Sequence, residues 1–130
     1  IKEEYVKLAK KNVEKHGLSK YVIFKIGDVR EAIEEKDLDS IILDMPDPWN
    51  AVDNVYEALK PSGTFIVFVP TTNQIEKISK ALVEHGGFLK PKAYEIIMRT
   101  YKTEVGEIRP HTWSVAHTGY IVYTRKVVKV

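Results

Sequence analysis

The sequence predicts an α/β fold built on a mostly parallel sheet, and three observations carry that expectation. Segments with helical periodicity alternate with short β-rich runs from residue 2 to residue 84, the pattern of strand–helix–strand units. Two of the runs, residues 40–44 and 64–69, are apolar almost throughout, as strands covered on both faces are. The last two β-rich stretches, residues 93–101 and 119–128, have no helical pattern between them, which predicts an antiparallel hairpin at one sheet edge. A chain of 130 residues, 44% of them hydrophobic, suffices for the core of one domain.

The elements follow in order. Residues 2–16 read as a helix with Tyr5, Leu8, Ala9, Asn12 and Val13 near one face, and Gly17 supplies its stop. Residues 21–26 are a short β-rich run ending at Gly27, and residues 31–35 predict a short helix. The strand at 40–44 must end at Asp44, because Pro46 and Pro48 cannot continue a central strand. Residues 51–59 form a second amphipathic helix, halted by Pro61-Ser62-Gly63, and the strand at 64–69 ends at Pro70. Thr71 and Gln74 match a capping box; Ile75, Ile78, Leu82 and Val83 then make a helix face that closes at His85-Gly86-Gly87. The polar stretch with Gly106 and Pro110 before the last strand is a long loop, of the kind that is often functional.

Composition narrows the function classes. There is no cysteine, so disulfides and thiolate metal sites are excluded, and the four histidines are scattered without a metal-ligand pattern. No run is long and apolar enough to span a membrane, and a cytoplasmic protein is expected. Residues 1–84 carry 12 Lys and Arg against 15 Asp and Glu, and residues 85–130 carry 8 against 3. The basic second part could face a polyanion such as RNA, but on charge alone a solvated surface of uneven charge is the preferred reading. No Walker loop, GxGxxG or serine or cysteine triad is present.

Ligands of open α/β sheets sit beyond the carboxyl ends of the strands. Two predicted strands end in an acid there, at Asp28 and Asp44, and a third ends in Pro70-Thr71-Thr72. Asp28 has two readings: a cap on the following turn, or an acceptor for the exocyclic amine of an adenine ring beside the backbone of Val29. Asp44 precedes Met45-Pro46-Asp47-Pro48-Trp49, a stiff loop that packing alone does not call for. It reads as a carboxylate facing a base, with proline and aromatic surfaces around it; the alternative is an acid bonded to nearby amides above a Trp49 that fills a core gap. Asp47 reads as solvated or as a cap on the next helix. His16 and His85 sit at helix C-terminal ends, where their charge complements the dipole.

These motifs converge on a known family. Asp44-Met45-Pro46-Asp47-Pro48-Trp49 resembles the DxPxPW motif of class I S-adenosylmethionine-dependent tRNA (adenine-N1)-methyltransferases, the TrmI family. Ala58-Leu59-Lys60-Pro61-Ser62-Gly63 resembles its ALKPGG turn, and Pro70-Thr71-Thr72-Asn73-Gln74 its PCxxQ segment, with Thr71 where many members carry Cys. Arg109-Pro110 resembles its RP pair, and His117-Thr118-Gly119-Tyr120-Ile121 its HTGYL/I strand. The resemblance covers essentially the whole chain in order, and archaeal members look most similar.

The resemblance implies methylation of adenine N1 in the T-loop of tRNA, a Rossmann-like methyltransferase sheet, S-adenosylmethionine as cofactor, and a homotetramer. It implies Asp44 as the catalytic carboxylate, taking up the positive charge that moves onto the ring when N1 attacks the sulfonium methyl. It assigns Asp28, Val29, Asp44 and Ile1 to the cofactor, and Pro46, Trp49, Gln74, Arg109 and His117 to the tRNA; no metal is implied. The target adenine would be flipped out of the folded tRNA. The family's first two strands, its glycine-rich loop and its ribose-binding acid have no counterpart here, and Ile1-Lys2-Glu3-Glu4 resembles the residues just after that acid. Residues 1–130 are therefore expected to be the C-terminal portion of the catalytic domain. The absent strands belong between those at 21–26 and 40–44, so a gap with unpaired strand edges, a rearranged sheet or strand donation by another chain is expected. The competing expectations are a non-catalytic RNA-binding subunit related to the enzyme, and another amino-directed nucleic-acid methyltransferase.

Overall fold

The computed structural model describes residues 3–31 and 33–128. The first helix, α1 (Glu3–Lys15), ends as its sequence requires: Gly17 adopts φ 68°, its N–H donates to the Glu14 carbonyl at 2.9 Å, and the Leu18 N–H donates to the Val13 carbonyl at 3.1 Å. This paired closure takes up the last carbonyls of the helix. No residue of α1 is fully buried: Ala9 and Val13 are half-buried, and Tyr5 and Leu8 remain exposed.

Two expected elements do not form. Ser19–Tyr21 is a single 3₁₀ turn, and residues 22–26 run on without joining any ladder, Ile23 being 87% exposed. β-branched residues favour a strand only where a neighbouring strand accepts their hydrogen bonds and covers their side chains, and none stands beside this run among the described residues. The short helix expected at 31–35 does not form among the described residues of that stretch: the Glu31 N–H donates to the Asp28 carbonyl in a turn, and residues 33–36 belong to no regular element. Five residues cannot nucleate a helix unaided, and here Lys25 draws in Glu34 at 2.8 Å and Glu35 at 2.5 Å. These two carboxylates lift the Lys25 ammonium to about 12.

The sheet holds β1 (Leu38–Asp44), β2 (Leu59–Val69), β3 (Lys92–Glu95) and β6 (Tyr120–Arg125), in the order β1-β2-β6-β3. A separate two-stranded ribbon joins β4 (Tyr101–Lys102) to β5 (Arg109–Pro110). β1 and β2 are parallel, in register from Ser40 opposite Thr64 to Asp44 opposite Phe68; the ladder is irregular between Leu38 and Ser40, where Lys60, Pro61, Ser62 and Gly63 bulge out of β2. β6 pairs antiparallel with both β2 and β3, so the expected edge hairpin is present, shorter than its sequence pattern. β3 stops at Glu95 because its partner begins at Tyr120 directly opposite, leaving the residues beyond with nothing to pair.

One face of this sheet carries the core. The 3₁₀ turn Pro48–Ala51, α2 (Val52–Ala58) and α3 (Thr72–His85) bring Val52, Val55, Ile78 and Leu82 against Ile41, Leu43, Phe65, Val67, Val69 and Val122. Each such fully buried aliphatic side chain contributes about 1.5–3 kcal/mol over leaving it in water. β1 was expected to be covered on both faces and is not: Ile41 and Leu43 are buried, while Ile42 between them is 68% exposed. No helix covers that face among the described residues, and β1 has a strand neighbour on one side alone, which matches the unpaired edge expected there.

The helix termini are secured by side chains. Thr71 caps α3, its Oγ1 accepting from the Gln74 N–H at 3.3 Å, as the capping box predicts. Lys126 Nζ donates to the carbonyls of Tyr56 and Leu59 at the end of α2, at 2.7 and 2.6 Å, and the Tyr56 hydroxyl donates to the Val127 carbonyl. No helix among the described residues is long and apolar enough to cross a membrane.

Candidate functional site

β1 delivers Asp44 to the carboxyl edge of the sheet, opposite Phe68. Beyond it the chain turns at once, with Pro48 buried at the start of the 3₁₀ turn and the ring of Pro46 at the surface. The turn at residues 27–30 faces this loop across a cleft of about 630 Å³, lined by that turn and by residues 42–47. Asp28, Val29, Asp44 and Pro46, widely separated in sequence, thus share one wall-to-wall space.

Three carboxylates and one guanidinium line the cleft. Arg30 Nε donates to Asp28 Oδ1 at 2.9 Å and Oδ2 at 3.0 Å, and Nη2 donates to Oδ2 at 2.5 Å. Nη1 turns the other way, to Asp47 Oδ2 at 2.9 Å and Oδ1 at 3.2 Å. The backbone N–H of Arg30 also donates to Asp28 Oδ1 at 2.9 Å, so Asp28 closes its own turn and caps no helix. The Arg30 side chain, and then its N–H, hold the Asp28 carboxyl down at about 2. Asp47 is likewise lowered, first by the Asn50 side-chain amide at 2.9 Å and then by Arg30. Asp44 differs: among the described residues, nothing hydrogen-bonds or ion-pairs with its carboxylate. Two of the acids are committed to protein partners and the third is available to a ligand.

The other sequence-predicted residues take varied places. Gln74 reaches the loop from α3, its Nε2 donating to the Pro46 carbonyl at 3.0 Å while its Oε1 accepts from the Thr71 hydroxyl at 2.8 Å. Trp49 is not in the cleft lining; it packs half-buried against the core, with Lys77 Nζ 4.9 Å from its ring centroid. His117 bridges strand ends, Nε2 lying 2.8 Å from the Pro70 carbonyl oxygen and Nδ1 2.8 Å from Glu95 Oε1. Arg109 is exposed on the β4–β5 ribbon, with Nη1 3.4 Å from the Thr112 hydroxyl, outside the cleft. Ile1 lies outside the described residues. No group of three or more His, Asp or Glu is set to hold a metal ion among the described residues.

Arg30 and Asn54 were not foreseen. Asn54 Nδ2 donates to the carbonyls of Val29 and Arg30 at 3.1 and 2.8 Å, fastening the turn at 27–30 to α2. The Asp-x-Arg spacing signals a local ion pair, but nothing in the sequence announces Asp47, seventeen residues further on, as the second acceptor.

Comparison with known proteins gives a consistent picture. A family model described as the tRNA methyltransferase complex GCD14 subunit matches residues 1–109. The tRNA (adenine(57)-N(1)/adenine(58)-N(1))-methyltransferase TrmI of Methanocaldococcus jannaschii is 47% identical over 105 residues, covering 80% of this chain and 37% of that protein. The tRNA (adenine(58)-N(1))-methyltransferase catalytic subunit trmt61a of Dictyostelium discoideum is 30% identical over 112 residues, covering 81% and 35%. Among solved structures, a SAM-dependent O-methyltransferase from Thermotoga maritima superposes with a TM-score of 0.92 at 41% identity, covering 99% of this chain and 48% of that one. The tRNA (m1A58) methyltransferase TrmI of Aquifex aeolicus gives 0.87 at 31%, covering 98% and 51%. This chain spans from 35% to 51% of the length of these four proteins.

Proposed function

Because the chain belongs to the family of the tRNA methyltransferase complex GCD14 subunit, we propose that its cleft serves S-adenosylmethionine-dependent methylation of N1 of a T-loop adenine in tRNA. The adenines concerned are those named for the Methanocaldococcus jannaschii relative, 57 and 58. The observation that carries the reading is the unbonded carboxylate of Asp44 at a strand end, in a cleft whose other two acids are tied to Arg30.

The donor set fits the cofactor. Three carboxylates against one guanidinium favour a cationic ligand, and Asp28 with the backbone of Val29 would take the adenine ring. When bound, S-adenosylmethionine supplies an electrophilic methyl on a positively charged sulfur. Asp44 accepts a hydrogen bond from the exocyclic amine of the target adenine, or takes its proton, as positive charge develops on that ring. The Pro46 face bounds the base, and Gln74 holds the Pro46 carbonyl so that Asp44 keeps its direction. Arg109 and the basic residues after position 84 would meet the tRNA, chiefly through phosphates, and His117, its ring nitrogens held by Pro70 and Glu95, would meet it through its exposed ring.

Assembly as a homotetramer belongs to the same proposal. Ile96, Ile97, Met98, Tyr101, Ile108 and Trp113 leave an apolar surface exposed beyond β3. The same proposal places the protein in the cytoplasm.

The test is methyl transfer from labelled S-adenosylmethionine by the full gene product, using tRNA transcripts with and without T-loop adenines. Transfer should require those adenines, and Asp44→Ala should lower kcat about 10²–10³-fold while tRNA binding persists. An Asp44→Ala variant of full activity would remove Asp44 from the chemistry. Tight tRNA binding with no methyl transfer by the parent would favour a non-catalytic RNA-binding subunit.

A further inference from the structure

We propose that Arg30 is a positioning residue that yokes the two walls of the cleft and leaves Asp28 a single acceptor position for a ligand amine. The inference rests on the reading of Asp28 as the acceptor of the cofactor's adenine amine.

The geometry is specific to a guanidinium. One edge of Arg30, Nε and Nη2, lies along the Asp28 carboxylate, and Nη1 reaches across to Asp47 on the Asp44 loop. A carboxylate offers about four lone-pair positions. Oδ1 of Asp28 receives the backbone N–H and Nε of Arg30, and Oδ2 receives Nη2 with a share of Nε. Because the Nε–H is shared between the two oxygens, three protons serve about four positions, which leaves about one for a ligand donor. A free aspartate would rotate among several orientations; this one is fixed with a single vacancy. A lysine ammonium, a point charge on a flexible stem, cannot hold two carboxylates in this fork.

Both anchors are themselves held. Asn54 fastens the carbonyls of Val29 and Arg30, Asn50 fastens Asp47, and Gln74 fastens Pro46 beside it. Arg30 closes the connection between these two braced segments, and so sets the separation of Asp28 from Asp44. Its side chain is 45% exposed, and exposed ion pairs contribute little to stability. Removing it therefore tests positioning more than folding.

The experiment is titration calorimetry of S-adenosylmethionine into the full gene product, for the parent and for Arg30→Met, Arg30→Lys, Asp47→Asn and the Arg30→Met/Asp47→Asn double variant. Melting temperature and tRNA affinity are measured beside it. Arg30→Met should weaken cofactor binding about tenfold, the effect of losing one charge-assisted orienting contact, with tRNA affinity unchanged. Arg30→Lys should not restore it. Asp47→Asn should weaken binding by a smaller factor, and the double variant should match Arg30→Met alone, because both changes break the same link. Cofactor affinity in Arg30→Met within about twofold of the parent, or a double variant in which the two losses multiply, overturns the proposal. If Arg30→Met does not fold, Asp47→Asn decides: unchanged cofactor affinity overturns the proposal and weakened affinity at unchanged tRNA affinity supports it. A parent that binds S-adenosylmethionine but methylates no tRNA sinks the proposed function while the Arg30 comparison still stands. A parent that methylates tRNA, with Arg30→Met binding cofactor normally, sinks the positioning role alone.

Discussion

His117 donates from Nε2 to the Pro70 carbonyl oxygen at 2.8 Å, joining the segment before β6 to the end of β2. Its other nitrogen, Nδ1, faces Glu95 Oε1 at 2.8 Å, so both partners are acceptors and both bonds form together in the imidazolium alone. The Pro70 carbonyl first, and then Glu95, raise the imidazole above its ordinary value of 6.5. A group whose folded value is raised stabilises the fold fully below its unfolded value, and that stability is lost as pH rises through the folded value. The denaturation midpoint should therefore fall as pH is raised through and beyond neutrality. His117→Gln should flatten this part of the profile; an unchanged slope in that variant would assign the dependence to another group.

Gly119 is a second constraint at the same edge. Its φ is 157°, and a Cβ there would lie 2.2 Å from the Phe68 ring, whose residue is the ladder partner of Asp44. Gly119→Ala must push that ring aside, at about 1–3 kcal/mol, the usual range for overpacking. Chemical denaturation should show the loss, and adding Phe68→Leu should recover part of it. If Gly119→Ala is neutral and Phe68→Leu adds its full independent effect, the contact does not govern this edge.

Gln74 offers a division between substrate contact and support. Its amide is engaged at both ends, by the Pro46 carbonyl and the Thr71 hydroxyl. Gln74→Met keeps the length of the side chain and removes both bonds. In the methyl-transfer assay we expect kcat to fall about tenfold with the tRNA KM unchanged, because the Asp44 loop loses its tether while the tRNA surface is intact. A raised tRNA KM at constant kcat would instead make Gln74 a direct tRNA contact.

The parts of the fold legible in the sequence are those whose signals are local. Gly17 and Gly86 stop their helices in the left-handed conformation, and Thr71 caps α3, each decided by a few neighbouring residues. Asp44 was legible for the same reason: two prolines can end a strand in only one place. Residues 22–26 and Ile42 depart from their local pattern because their state depends on a neighbouring strand or covering layer, which local propensity does not report. Arg30 was invisible because its second partner is brought near by the turn beyond β1, a tertiary relation with no spacing signature.

Trp49 shows how that limit bears on function. Beside an acid and two prolines it reads either as a surface lining a base pocket or as a filler of a core gap, and it packs half-buried against the core, outside the cleft lining, with Lys77 over its ring. A Trp that stacked on a flipped base would, when cut to Ala, lose tRNA affinity or turnover with little change in stability. A Trp that packs under the loop would lose stability first. Its neighbours favour the second outcome: Pro48 and Ala51 on either side of it are buried, and α3 lies against this turn. We expect Trp49→Ala to destabilise the protein by about 2–4 kcal/mol, somewhat below the range for a fully buried Trp or Phe. Lys77→Met should cost much less, because a single exposed cation–π contact contributes about 0.5–1 kcal/mol. Denaturant titration measures both. A Trp49→Ala protein of parental stability, with tRNA binding or turnover sharply reduced, would return Trp49 to the base pocket and require the loop to reopen around the substrate.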